Sequence, residues 1–150
     1  VSTARATILV EGLASAAEAL WYDTDRWPSF VDGLERVDGV QGPWPRVGGR
    51  VVWDSHPGGR GRVTETVTAY EARRGQESTV EDDEITAVQR VSFVPQGDRV
   101  AVTVELEYRI KAWNLTTPVV DLLFVRGAWR ASLTRTLKAF QYELTAPQAR

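Results

Sequence analysis

The longest regular pattern in the chain lies between residues 98 and 112. There Val100, Val102, Val104, Leu106, Tyr108 and Ile110 alternate with Ala101, Thr103, Glu105, Glu107, Arg109 and Lys111. Successive side chains of a strand point to opposite sides, so this alternation predicts a long strand with one buried and one wet face. Residues 85–95 form its hairpin partner across Gln96-Gly97. Shorter runs predict strands at 7–10, 34–40, 50–55, 61–70 and 76–81. They are punctuated by Gly12, by Gly42-Pro43-Trp44-Pro45, by Gly58-Gly59 and by Arg73-Arg74-Gly75.

Helical spacing is found in two places. Ser15 and Glu18 stand in the capping-box relation and predict a helix through Trp21, while Pro28 limits the segment 25–31 to a turn or two. Thr117 and Pro118 form an N-cap and N1 pair, and the chain then runs free of proline to about Tyr142. On that helix Leu122, Trp129, Leu133, Leu137, Phe140 and Leu144 share one stripe. A sheet with one apolar face, followed by a helix with one apolar stripe, is satisfied when the sheet curls around the helix. The prediction is an α+β fold. Seven antiparallel strands wrap a long C-terminal helix, and two short helices follow the first strand. Near the helix start Val119, Val120, Leu122, Leu123, Phe124 and Val125 are apolar almost all round, which predicts a cavity wall or mouth.

Composition narrows the chemistry. With 150 residues, 43% hydrophobic and 25% charged, the chain fits one domain over 1–150 with a core of its own. A net charge of -2 lacks the basic excess that nucleic-acid binding draws on. No apolar run reaches the ~18 residues of a membrane span, and no charged-then-apolar leader opens the chain. A cytoplasmic location is the resulting expectation. The absence of cysteine excludes disulfides, thiolate catalysis and Cys-ligated zinc, and the single histidine, His56, cannot build a histidine metal site. Nucleophile-elbow and phosphate-loop motifs are absent. No cofactor or metal is expected.

The order of several segments carries a family resemblance. These are Ala14-Ser15-Ala16-Ala17-Glu18-Ala19-Leu20-Trp21, Asp25-Arg26-Trp27-Pro28-Ser29-Phe30, Leu34-Glu35-Arg36-Val37, Val47-Gly48-Gly49-Arg50 and the glutamate-bearing run from Val63 to Arg74. Together they resemble the START-like helix-grip superfamily, SRPBCC, and within it the polyketide cyclase/dehydrase and lipid-transport branch. The resemblance covers roughly residues 6 to 144. It implies an elongated pocket between sheet and C-terminal helix. Members bind lipids, sterols, quinones, polyketides or hormones, and some cyclise or dehydrate bound polyketides. The family has no universal catalytic residue, so the resemblance implies a pocket and leaves its use open.

Within that frame several side chains are candidates. Of the six tryptophans, Trp27, Trp53, Trp113 and Trp129, with Phe30, Phe93 and Phe124, either pack the core or line a flat apolar site. Leu106 and Tyr108 share the inward parity of their strand. Glu65 shares the parity of Val63, Val67 and Ala69 and so faces inward, where a carboxylate needs a partner. Arg126, on the stripe of Leu122, Trp129 and Leu133, is the expected one. The two then either form a structural ion pair or orient a ligand carbonyl or enol. Asp54 and His56 share one parity, but His56 abuts a turn and reads as an exposed loop residue. Three functions follow. The first is binding or carriage of an apolar small molecule, needing only a pocket. The second is a polyketide cyclase, aromatase or dehydratase using Glu65, Arg126, Tyr108 and His56 for acid-base work. The third is an interaction module with a filled pocket and an exposed apolar patch.

Overall fold

The computed structural model describes residues 1–111 and 119–146, with side chains from 125 onward in the second stretch. The chain runs β1 (Ser2–Glu11), α1 (Ala14–Trp21), a 3-10 turn (Thr24–Arg26), α2 (Trp27–Phe30), β2 (Leu34–Gln41), β3 (Arg50–Ser55), β4 (Arg62–Glu71), β5 (Gly75–Glu81), β6 (Ile85–Gln96), β7 (Arg99–Ile110) and α3 (Val119–Thr145). The strands form one curved antiparallel sheet in the order β1-β7-β6-β5-β4-β3-β2. Five sequential hairpins link β2 through β7, and β1 returns to pair with β7 along its whole length. Because β1 and β2 occupy opposite edges, α1 and α2 must carry the chain across the breadth of the sheet. This is the helix-grip fold. Among the described residues, no helix is long and apolar enough to cross a membrane.

Two local expectations are corrected. β1 begins near the chain start instead of at Thr7, because Ala4 and Ala6 are its inward residues there and alanine gives a weak hydrophobic signal. They sit opposite Leu106 and Val104, whose bulk fills the space, and Ala4 is buried. Nor does Ser15 cap α1. The helix starts at Ala14 with Leu13 at the cap position and no side-chain cap, so Ser15 falls inside the first turn. Glu18 is drawn elsewhere: its carboxylate accepts the N–H of Arg73 at 2.6 Å, in the β4–β5 turn where Arg73 adopts φ 62°. The expected Thr117-Pro118 cap lies outside the described residues.

On α3, Leu133, Leu137 and Phe140 are buried and Trp129 and Leu144 half-buried, as the stripe requires. The side chain of Leu122 lies outside the described residues. Phe140 meets Trp21 and Phe30 edge-on, each at 5.5 Å between ring centres, so the far end of α3 is sealed by α1 and α2. Beside this lies a second aromatic group, in which Tyr22 meets Trp44, Tyr70 and Phe93 at 6.2, 5.8 and 6.1 Å. Tyr70 joins it because a bulge between Val67 and Ala69 shifts the parity of β4, turning Tyr70 inward and leaving Ala69 exposed.

The loop before β3 fixes one wall of the interior. Trp44 donates its indole N–H to the Tyr22 carbonyl at 2.9 Å and packs 5.6 Å from Trp27. Gly49 lies directly beneath it. A Cβ at Gly49 would stand 2.6 Å from Trp44 Cα and 2.8 Å from its backbone nitrogen. Gly49→Ala is therefore expected to destabilise the fold by about 1–3 kcal/mol, the usual range for overpacking. The shift of the urea unfolding midpoint measures this, and an unchanged midpoint would mean that this loop is free to give way.

Candidate functional site

Strand alternation places a carboxylate in the apolar interior. In β4, Val63, Glu65 and Val67 are buried while their neighbours are not, and Glu65 itself is 6% exposed. It stands opposite Val51 on one side and Val80 on the other. Trp53, on the same inward face of β3, donates its indole N–H to Glu65 Oε2 at 2.7 Å. Burial pushes the Glu65 carboxyl above the usual carboxylate range. The Trp53 hydrogen bond and the charge of Arg60 oppose that shift without cancelling it.

Arg60 reaches this place from the β3–β4 loop. Its guanidinium carbon lies 5.3 Å from the Trp53 ring centre and 4.6 Å from that of Trp129 on α3. Nε donates to Asp82 Oδ2 at 2.7 Å, and the Asp82 side chain is completely buried. The other oxygen, Oδ1, accepts the backbone N–H groups of Glu84 and Ile85, both at 2.8 Å, and so holds the β5–β6 turn. One guanidinium thus ties a loop, a turn and the helix together. Among the described residues, Arg60 Nη2 and Tyr108 Oη are buried without a hydrogen-bond partner. The Tyr108 ring lies 6.1 Å from that of Trp129.

Trp53, Arg60, Glu65 and Trp129 border a cavity of about 40 Å³ beneath α3. That is room for roughly two or three waters. Its aromatic walls are Trp21, Trp27, Phe30, Trp53 and Trp129, and Val104, Leu106 and Gln89 rise from the sheet. Glu65 and Arg60 form one polar side, and Asp32, Ser132 and Thr136 another. Asp32 accepts from Ser132 Oγ at 2.7 Å and from Arg135 Nε and Nη2 at 3.1 and 3.0 Å, while its own N–H donates to Thr136 Oγ1 at 2.9 Å. Burial acts to raise the Asp32 pKa. The hydrogen bonds from Arg135 and Ser132, together with the Arg135 charge, outweigh it and hold the carboxyl below its ordinary range.

Of the residues singled out in the sequence, Trp27, Phe30, Trp53, Glu65, Leu106 and Trp129 meet at this cavity. Tyr108 is buried beside Trp129 without bordering the cavity, and Phe93 is buried in the Tyr22 group instead. Trp113 and the Phe124 side chain lie outside the described residues. The pairing of Glu65 with Arg126 is overturned: Arg126 is exposed on α3, and Arg60 supplies the cation. Arg60 already occupies the space between Trp53 and Trp129 beside Glu65, where the helix residue was expected. His56 is exposed at the β3–β4 turn, and Asp54 pairs with Arg36 and Arg62 at 3.2 Å each. Sequence reasoning missed Arg60, Asp82, Gln89, Asp32, Ser132 and Thr136. Signals existed for two groups of them: Gln89 is a polar residue on the inward parity of β6, and Ser132 and Thr136 stand four apart beside the apolar stripe.

Comparison with known proteins agrees with this architecture. The family model described as polyketide cyclase / dehydrase and lipid transport matches residues 3–145. No curated protein matches the chain. Among solved structures, norcoclaurine synthase from Thalictrum flavum superposes with a TM-score of 0.72 at 12% identity, covering 98% of this chain and 95% of that one. A START superfamily protein from Mycobacterium smegmatis gives 0.70 at 18% identity, covering 95% and 99%. The di-domain ARO/CYC StfQ of the steffimycin biosynthetic pathway gives 0.72 at 15% identity, with 93% of this chain covering 49% of that one. At such identities the shared property is the fold.

The raised pKa of Glu65 sets the sign of a pH dependence. Its contribution to stability is complete below the unfolded carboxylate range and is lost as pH rises through the folded pKa. Glu65→Gln keeps an oxygen for the Trp53 N–H and removes the titration. It is expected to raise Tm at pH 8 by a few degrees, at ~4 °C or less per kcal/mol for a chain of this size, and to leave Tm at pH 4 unchanged. A variant less stable than the parent at pH 8 would reverse the assignment and make ionised Glu65 a stabilising group.

Proposed function

Because this chain belongs to the polyketide cyclase / dehydrase and lipid transport family, we propose that it binds an apolar small molecule between the sheet and α3. The observation that carries this reading is Glu65, a carboxyl on the wall of an aromatic cavity. An apolar residue between Val51 and Val80 would serve the sheet better, since a buried carboxyl costs several kcal/mol unless fully partnered. A ligand group beside it gives that side chain a use.

Binding must enlarge the cavity, since sites for drug-sized ligands run to roughly 300–1,000 Å³. Trp129 is the side chain placed to yield. It is half-buried, and the Arg60 guanidinium over its face holds it by about 0.5–2 kcal/mol. Displacing Trp129 opens the aromatic walls while the strands below keep their register.

A second reading rests on the same carboxyl. Burial favours its neutral form, which suits a general acid toward a ligand carbonyl, and Arg60 Nη2 stands ready to donate to the oxyanion that develops. Acid-base cyclisation or dehydration of a bound polyketide is the reaction class this would serve.

Titration with naphthalene, followed by tryptophan emission and by native mass spectrometry, tests the binding reading. A saturable one-to-one complex is expected. Ser132→Phe, which fills the cavity from α3, should weaken it roughly tenfold or more while leaving the circular dichroism spectrum intact. Absence of saturable binding, or equal binding by the variant, would overturn it.

A further inference from the structure

The charges around the cavity narrow the ligand class. Arg60 and Glu65 border its inner polar side, and Asp82 stands behind Arg60. Arg60 is balanced by Asp82, whose carboxylate accepts from Arg60 Nε and from two backbone N–H groups. At the outer side Asp32 is balanced in the same way by Arg135. Glu65 is therefore the one acid bordering the cavity that has no cation bonded to it among the described residues.

This arithmetic disfavours a charged ligand of either sign. With Glu65 favoured in its neutral form by burial, Arg60 and Asp82 leave the inner side without net charge, so a carboxylate or phosphate entering the cavity meets no unbalanced cation among the described residues to offset its loss of hydration. An ammonium would come against the Arg60 guanidinium, which already covers the faces of Trp53 and Trp129. An uncharged oxygen finds what it needs. Arg60 Nη2 is a buried donor without a partner among the described residues, Glu65 offers a carboxyl, and the Gln89 amide borders the same space.

We propose that the site takes an uncharged, flat, apolar ligand carrying a carbonyl oxygen, received by Arg60 Nη2 beside Glu65, and that it rejects carboxylates and amines. The proposal rests on the binding reading above. Asp82 then acts as a positioning residue, fixing the guanidinium beside the cavity by holding Nε. The site is consequently closed to free fatty acids and open to ketones, quinones and esters of similar shape.

Four probes on one ring system separate these claims: naphthalene, 2-acetylnaphthalene, 2-naphthoate and 2-naphthylmethylammonium, titrated at pH 7 against tryptophan emission. The ketone should bind roughly tenfold or more tighter than naphthalene, the gain of one charge-assisted hydrogen bond, and the two ions should bind more weakly than naphthalene. Arg60→Lys retains the charge facing Asp82 and loses Nη2. It should erase the advantage of the ketone over naphthalene, the two then binding alike. Should that variant fail to fold, the ranking of the four probes on the parent protein decides alone. A ketone no better than naphthalene, or an ion binding as tightly as the ketone, overturns the inference and leaves the apolar site standing. Failure of all four probes, naphthalene included, overturns the binding reading itself.

Discussion

One helix cannot cover seven strands. At about 4.8 Å between neighbours the sheet is roughly 30 Å wide, whereas a helix with its side chains is about 10–12 Å across. The inward face of this sheet is mostly apolar, so the mismatch must be resolved by curvature and by filling. Curvature brings the strands up around α3. The filling comes from α1 and α2: Trp21 and Phe30 meet Phe140 at the far end of the helix, and Trp27 lines the cavity with them. What remains unfilled beneath Trp129 is the cavity, a residue of the geometry that the polar groups Glu65 and Arg60 then make selective.

Most of the architecture was readable because each strand announces itself by period two and each turn by glycine or proline. The inward direction of Glu65 followed from parity alone. Parity failed only where the backbone breaks step, as at the bulge after Val67 that turns Tyr70 inward, or where small residues hide the signal, as at Ala4 and Ala6. The partner of Glu65 was illegible for a different reason. Arg126 lies on the right stripe of the helix, but a stripe says which way a residue points and nothing about what arrives from a loop. Arg60 sits in Gly58-Gly59-Arg60-Gly61, a stretch without period, and its anchor Asp82 sits in another turn 22 residues on. Pairings between two turns leave no trace in local pattern. The polar latch of Asp32 with Ser132 and Arg135, about a hundred residues apart, is of the same kind.

The two faces of the sheet handle charge by different rules. On the outer face Arg90 bonds Glu77, Glu105 and Glu107 at 2.9, 3.3 and 3.0 Å, all across strands and all open to water. Such pairs contribute little each, typically 0–1 kcal/mol, and tolerate rearrangement. Inside, the ion pair of Arg60 with Asp82 has no water to fall back on at its acidic end, so loss of either partner strands the other. Removing Asp82 would also release the two N–H groups that it holds in the β5–β6 turn. The interior charges are thus few, directional and mutually dependent, and the exterior ones numerous and interchangeable.

Val104, Leu106 and Gln89 form the cavity floor, and each projects from a strand whose pairing with its neighbour is made by backbone groups. The shape of the floor and the integrity of the sheet are therefore separable under mutation. A lineage can exchange these three side chains one at a time, reshaping the space while the register beneath stays intact and the polar end stays anchored by residues from a loop and a turn. Divergence in what such proteins hold, with constancy in how they fold, is a direct outcome of keeping contour and framework on different atoms.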